Sequence, residues 1–308
     1  MSITNNVITP GDVSRREDVV LNMVEILTAE ENKLLSMLGK TTAIDSVHSY
    51  LTDTLRTAAS AAVEEGEDYT LGARTTPSRL TNLVQEIAIT FSVSELAQSV
   101  QKYTGQNELD RQLSKAMMEW GSAAEFDIIR ATLVSGASGT VAKMNGIIGA
   151  ISKSTNTTVQ TSGTVFSASI LDGLMETNWN NSNGDVVSDI LVGSTLRRVV
   201  DSFTQKTNVV VNAPGIVNIV KTVQTYETSM GTVTVHKHRY VQQSGDATGR
   251  VLGVNKNKIK LAYLKKPYVQ TDLSKAGPYD KRAVYGSLTV EVSNQDSNLF
   301  ASGYLKTA

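Results

Sequence analysis

Between Val63 and Asn82 the chain reads VEEGEDYTLGARTTPSRLTN. The stretch holds few apolar residues, two glycines and a proline, with an acidic cluster (Glu64, Glu65, Glu67, Asp68) followed by Arg74 and Arg79. It cannot build a core of its own. It is also too long for a turn and too charged at fixed points for a Gly/Ser linker. Loops of this length without their own fold are usually disordered or functional. The flanking segments are long enough to run out and back as a hairpin. Ordering each residue of such an arm costs about 1–2 kcal/mol, so order is worthwhile only where another surface supplies the partner. On the local residues two readings stand: a solvated surface hairpin, or an arm that lies on a neighbour, its charges setting register.

Upstream, REDVVLNMVEILTAEENKLLSML spaces its apolar residues as two short helical pieces, Val19 to Leu27 and Leu34 to Leu38. Thr28 and Glu31 form a capping box between them, and Gly39 ends the second piece. IDSVHSYLTDTLRTAA follows as an extended or mixed connector. Downstream of the arm, NLVQEIAITFSVSELA is rich in β-branched residues and alternates imperfectly, which predicts a strand.

From Asn107, a suitable N-cap, apolar residues recur at Leu109, Leu113, Met117, Trp120, Ala124, Ile128 and Leu133, with Gly136 as the exit. Asp110, Lys115, Glu119, Glu125, Asp127 and Arg130 fall largely on the opposite face. A helix of about 27 residues would run roughly 40 Å. The remainder is mixed. GASGTVAKMNGIIG is a glycine-punctuated crossover, SASILDGLMETNW a short helix opened by Ser167, and DILVGS a buried strand. Ser194 caps TLRRVVDSFTQ, and the run after Pro214 forms a hairpin about Gly231. IKLAYLKKPYVQ and KRAVYGSLTVEVSN are two late strands separated by TDLSKAGPYD.

Composition narrows the function classes. The 308 residues are 40% hydrophobic and 19% charged, the range of a folded globular chain that could hold two subdomains. A net charge of −1 provides no basic field to attract nucleic acid. Aromatics at 6% are sparse for a carbohydrate or base-stacking protein, and the absence of cysteine excludes disulfides, thiolate metal sites and a cysteine nucleophile. MSITNNVITPGDVSRRED has no apolar segment of a signal peptide, and no run approaches the roughly 18 residues of a membrane span. A soluble protein of the cell interior, or one assembled there, is expected.

Candidate chemistry is thin. His236 and His238 in HKH could form a metal pair on one strand face, but the third histidine, His48, is distant, and surface histidines explain the motif better. Glu64, Glu65, Glu67 and Asp68 could pose as paired catalytic carboxylates, yet adjacent acids at a glycine turn are usually only solvated. No P-loop, no G-x-G-x-x-G and no G-x-S-x-G occurs. The sequence therefore offers no catalytic residue, no metal site and no cofactor.

Read together, TDTLRTAASAAVEEGEDY, RLTNLVQEIAITFSVS, the long helix, YETSMGTVTVHKHR, LAYLKK and SLTVEVSN follow one order. In that order the chain resembles the major capsid proteins of tailed bacteriophages with the Hong Kong 97-type shell fold. It is similar to a branch carrying A-x-x-E-G, here within Ala62 to Gly66, and R-x-x-N-x-x-Q, here Arg79, Asn82 and Gln85. The resemblance implies an α+β fold. Its parts would be an N-terminal arm (1–57), an extended loop hairpin (58–92), a peripheral domain with the spine helix (93–140), an axial domain (141–264), a peripheral strand pair (265–293) and a C-terminal return to the axial domain (294–308). Glu64, Glu65, Glu67, Asp68, Arg74 and Arg79 would make intersubunit contacts.

The same resemblance implies homo-pentamers and homo-hexamers closing an icosahedral virion shell around double-stranded DNA, assembled in the host cytoplasm. A portal protein, and scaffolding and decoration proteins where used, would be partners. Contact with the genome would be weak and unspecific, and no membrane is involved. Alternatives are an encapsulin-like compartment shell, or an enzyme or adhesin of unfamiliar α/β fold. The type member of the fold welds its subunits through a loop lysine and a neighbour's asparagine. Here Ala61 to Gln85 holds no lysine, and arginine stays protonated and is no substitute.

Overall fold

The computed structural model describes residues 7–8, 33–55, 58–66, 68, 72, 74–99, 107–152, 156–160, 163–182, 184–203, 225–242, 248–271, 273–274 and 277–306. The first half of the chain supplies β1 (Val7–Ile8), α1 (Lys33–Met37), β2 (Gly39–Thr42), β3 (Val47–Thr52), β4 (Ser78–Leu83), β5 (Gln85–Ser94), α2 (Glu95–Ser99), α3 (Glu108–Arg130) and α4 (Ile147–Ile151). The second half supplies β6 (Thr157–Val159), α5 (Ala168–Ser182), β7 (Asp189–Val192), α6 (Ser194–Phe203), β8 (Thr225–Thr228), β9 (Gly231–Lys237), β10 (Gly249–Val254), β11 (Ile259–Gln270), β12 (Tyr279–Val292) and β13 (Leu299–Tyr304).

These strands make two main sheets and one small one. The first runs β1-β5-β12-β11-β2 and the second β6-β13-β10-β7-β9-β8, while β3 pairs only with β4. In the first sheet, long antiparallel strands β5, β12 and β11 form the centre and short parallel strands close the edges. Its core face carries Ile87, Val284 and Leu288, which share one apolar cluster with Trp120, Ala124 and Ile128 of α3. Trp120 Nε1 also donates to the Ile87 carbonyl at 3.1 Å, so the one polar atom of this large side chain is satisfied inside.

The second sheet is covered on both faces, which is why Ile190 to Val192 reads as an unbroken apolar run. Ile190 and Val192 belong to the cluster that includes Leu171 and Met175 of α5 and Leu196 and Val200 of α6. Leu191, between them, points the other way into the α3 cluster, as the two-residue period of a strand requires. The two cores therefore meet through this sheet. At Gly303, with φ 91°, an added Cβ would lie 2.0 Å from the Gln160 carbonyl, so only glycine fits where the C-terminal strand passes that backbone.

Several expectations are corrected. The spine helix α3 has 23 residues and is roughly 35 Å long at 1.5 Å per residue. Asn107 caps it, its Oδ1 accepting from Leu109 N at 3.3 Å. It ends at Arg130 and not at Gly136, because the chain returns and Gly146 N donates to the Ala131 carbonyl at 2.8 Å. A Cβ on Gly146 would stand 2.9 Å from Ala131 N and Asp127 O, a close approach that closes the helix end.

The buried face of α3 is also different from the apolar stripe. Met117 and Leu133 are exposed, whereas Glu108, Gln112 and Glu125 are buried. Gly39 opens β2 and is not merely a helix stop. The expected single strand after the arm is two, β4 and β5, which part at Val84. The first helical piece, its Thr28–Glu31 box and the residues just after Pro214 lie outside the described residues. No helix among the described residues is long and apolar enough to cross a membrane.

Candidate functional site

The stretch from Val63 to Asn82 is the tip and return of a hairpin. β3 and β4 pair antiparallel from Val47 opposite Leu83 to Thr52 opposite Ser78. Side chains reinforce the last pair, where Thr52 Oγ1 and Ser78 Oγ lie 2.9 Å apart, and link the strands once beyond it, where Thr75 Oγ1 donates to the Thr54 carbonyl at 2.6 Å. Every described residue from Asp53 to Arg79 is exposed. Gly66, at φ 87°, supplies the left-handed residue of a turn, the backbone reason for the glycine of AVEEG. Apolar side chains are exposed along the arm: Leu51 at 72%, Leu55 at 97% and Val63 at 63%. A hairpin that shows such side chains to water leaves apolar area for a partner to cover.

Five of the six charged residues singled out in the arm lie among the described residues. Glu64, Glu65, Asp68 and Arg74 are exposed, and Glu67 lies outside the described residues. Glu65, Asp68 and Arg74 form no ion pair among the described residues. Arg79 acts inside the hairpin, donating from Nη2 to Ser49 Oγ at 2.9 Å.

Asn82 and Gln85, the other members of the R-x-x-N-x-x-Q motif, are buried at the hairpin's base. Asn82 Nδ2 donates to the carbonyls of Val290 (2.8 Å) and Asn145 (3.0 Å), and its Oδ1 accepts from Asn145 N at 2.8 Å. Gln85 Nε2 donates to Asp127 Oδ2 at 2.6 Å, and its Oε1 accepts from Met144 N at 3.2 Å. Burial pushes the Asp127 carboxyl above its ordinary range, while the Gln85 hydrogen bond and nearby Lys143 pull it back. On the other strand, Tyr50 Oη accepts from Val292 N at 3.3 Å.

All three histidines meet carboxylates from other elements. His48 of β3 lies 3.2 Å from Glu291 of β12, His236 of β9 3.0 Å from Asp189 of β7, and His238 2.8 Å from Glu125 of α3. His236 and His238 thus have separate partners, and His238 is buried, not a surface residue. Among the described residues no group of three or more metal-ligating side chains gathers. Sequence reasoning missed Glu125 because helical spacing placed it with the polar residues. Its partners come from 91 residues before and 113 residues after it.

The family model described as SU10 major capsid protein matches residues 3–304. The chain belongs to the SU10 major capsid protein family. It is the structural protein of a phage's icosahedral head, a component of the virion that assembles with itself into the shell, and not an enzyme. No curated protein matches the sequence. Solved structures match at the level of the fold. A Mycobacterium phage Bobi structure has a TM-score of 0.62 at 10% identity, covering 93% of each chain. A Gordonia phage Cozz structure has 0.58 at 12%, covering 94% of this chain and 92% of that one. The holo-SrpI encapsulin complex of Synechococcus elongatus has 0.61 at 11%, covering 96% and 94%. The mixed α/β fold is therefore common to phage capsids and an encapsulin, and the family match makes this chain a phage head protein.

Proposed function

We propose that the β3–β4 hairpin is the arm by which each capsid subunit lies over the next, in homo-pentamers and homo-hexamers. The observation that carries this reading is the exposure of every described residue from Asp53 to Arg79 on a hairpin whose base is anchored by the buried Asn82 and Gln85. Apolar Leu51, Leu55 and Val63 would supply buried area on the neighbour. Glu64, Glu65, Glu67, Asp68 and Arg74 would set register, with Arg79 stiffening the arm from within. In this reading α3 and the five-stranded sheet form the peripheral domain, and the six-stranded sheet with α5 and α6 forms the axial domain. The N-terminal arm precedes the hairpin, and the last strand returns to the axial domain.

Portal, scaffolding and decoration proteins are the further partners this reading allows, and the near-neutral chain makes its contact with packaged DNA weak and unspecific. The test replaces residues 55–75 with a short glycine turn, preserving β3 and β4. The subunit should stay folded and soluble, because the described residues among those removed are all exposed, while closed particles should disappear in negative-stain images. Normal particles from this variant would overturn the arm reading.

A further inference from the structure

At Val84 one continuous stretch of chain leaves one sheet and enters another. Up to Leu83 it pairs with β3 in the hairpin, and from Gln85 it pairs with β12 in the five-stranded sheet. On this strand the change of sheet falls at one residue, while the hairpin's other strand enters from β2, which pairs with β11. Backbone alone does not fix such a corner, since small changes at Val84 would swing the hairpin from Val47 to Leu83.

The side chains on either side of the corner remove that freedom. Asn82, two residues before it, reaches the backbone of β12 and of the segment that follows α3, using both its amide hydrogens and its oxygen. Gln85, one residue after it, bridges α3 through Asp127 and the same following segment through Met144 N. Across the hairpin, Val84 N donates to the Ser46 carbonyl at 2.8 Å, and His48 and Tyr50 bond Glu291 and Val292 of β12. Ala43, Val84 and Ala262 fill the small apolar space beneath. Three pieces of backbone and the Asp127 side chain of α3 thus grip the corner. Asn82 and Gln85 are each 6% exposed, so water does not compete for their bonds.

We infer that Asn82 and Gln85 are positioning residues that set the angle of the assembly arm, and through it the angle between neighbouring subunits and the diameter at which the shell closes. The inference rests on the arm reading above and adds a determinant of shell size. A closed shell forms only if the rotation between neighbours is repeated accurately. A swinging arm would permit many rotations, giving particles of mixed size or open sheets. The grip also accounts for an otherwise unexpected pair of buried amides at the root of an exposed hairpin.

The test uses Gln85→Glu, which removes the donor to Asp127 and sets two carboxylates together. Its rescue is Gln85→Glu with Asp127→Asn, which restores the bond with donor and acceptor exchanged. Tyr50→Phe is a milder second variant that removes only the oxygen receiving Val292 N–H. The chain has no cysteine. Spin labels at Leu51→Cys on the hairpin and Met118→Cys on α3 therefore report the arm's angle in unassembled subunits without competing thiols.

A narrow distance distribution is expected for the parent, a several-fold broader one for Gln85→Glu, and a narrow one again for the double variant. Particle diameters in negative stain should follow the same pattern, with Tyr50→Phe intermediate. Equal widths in parent, Gln85→Glu and Tyr50→Phe would overturn the inference, whatever the particles do. Altered widths with unaltered particle diameters would instead show that the arm does not govern assembly, and the arm reading would fall. A fold defect alone would lower the melting temperature and yield while leaving the surviving particles at the parent diameter.

Discussion

Glu125 and His238, 113 residues apart in sequence, meet in the core with Oε1 and Nε2 2.8 Å apart. The other ring nitrogen of His238, Nδ1, accepts from Tyr240 N at 3.2 Å, which places the ring hydrogen on Nε2, donating to the carboxylate. Leu34 N (2.8 Å) and Leu35 N (3.1 Å), at the start of α1, donate to the same carboxylate. One buried carboxylate therefore ties α1, the spine helix and the loop after β9 together.

Glu125→Ala should cost the subunit about 3–5 kcal/mol, because three N–H donors, two of them buried, lose their acceptor together. Glu125→Gln keeps one acceptor oxygen and the side-chain shape, and a loss of about 1–3 kcal/mol is expected. Urea denaturation of the unassembled subunit measures both. Equal stability of Glu125→Ala and the parent would show that water or relaxation satisfies those donors.

Gly286 lies on β12 directly over the spine helix. A Cβ there would stand 2.7 Å from Trp120 Cζ2 and 3.1 Å from Pro267 Cα. Gly286→Ala should therefore displace Trp120 and cost about 1–3 kcal/mol through overpacking. Tryptophan emission should shift to the red as the ring leaves the core, the half-exposed Trp179 serving as a constant background. Unchanged emission and stability would mean that the sheet yields there without strain.

Tyr285 Oη donates to Glu86 Oε1 at 2.7 Å. That hydrogen bond, then partial burial and the carboxylate's charge, push its phenol up to about 12. The folded state thus holds this proton more tightly than the unfolded chain, whose ordinary value is 10.0. The stabilisation is complete below pH 10 and is lost as pH rises through about 12. Absorbance titration of the parent minus Tyr285→Phe should isolate this late step, and Glu86→Gln should bring it earlier. A difference titration centred at the ordinary tyrosine value would contradict the geometry.

The whole hairpin from Val47 to Leu83 contains no lysine, and the chain contains no cysteine. Neither an amine on the arm nor a disulfide can weld neighbours together. Assembled heads boiled in detergent should run as one band near 33.1 kDa. A ladder of multimers under reducing conditions would reveal a covalent link of another kind.

Much of the architecture was legible in local patterns, since period and punctuation act over a few residues. Asn107 as a helix cap, the apolar run from Ile190 to Val192, the turn about Gly231 and the two late strands all depend on neighbours close in sequence. So did the arm's lack of a core, and the ordered series of short motifs was enough to point to a capsid fold. What the sequence could not disclose depends on residues brought together from far apart. Helical spacing put Glu125 on a polar face, and only the arrival of α1 and the His238 loop makes that position interior. The same holds for the strand that splits at Val84: its β-branched composition favours extension throughout. Only the grip of Asn82 and Gln85 on α3, β12 and the Met144–Asn145 segment turns the chain from one sheet to the other. Long-range hydrogen bonds leave no periodic trace, because each partner is chosen by where the backbone passes in space.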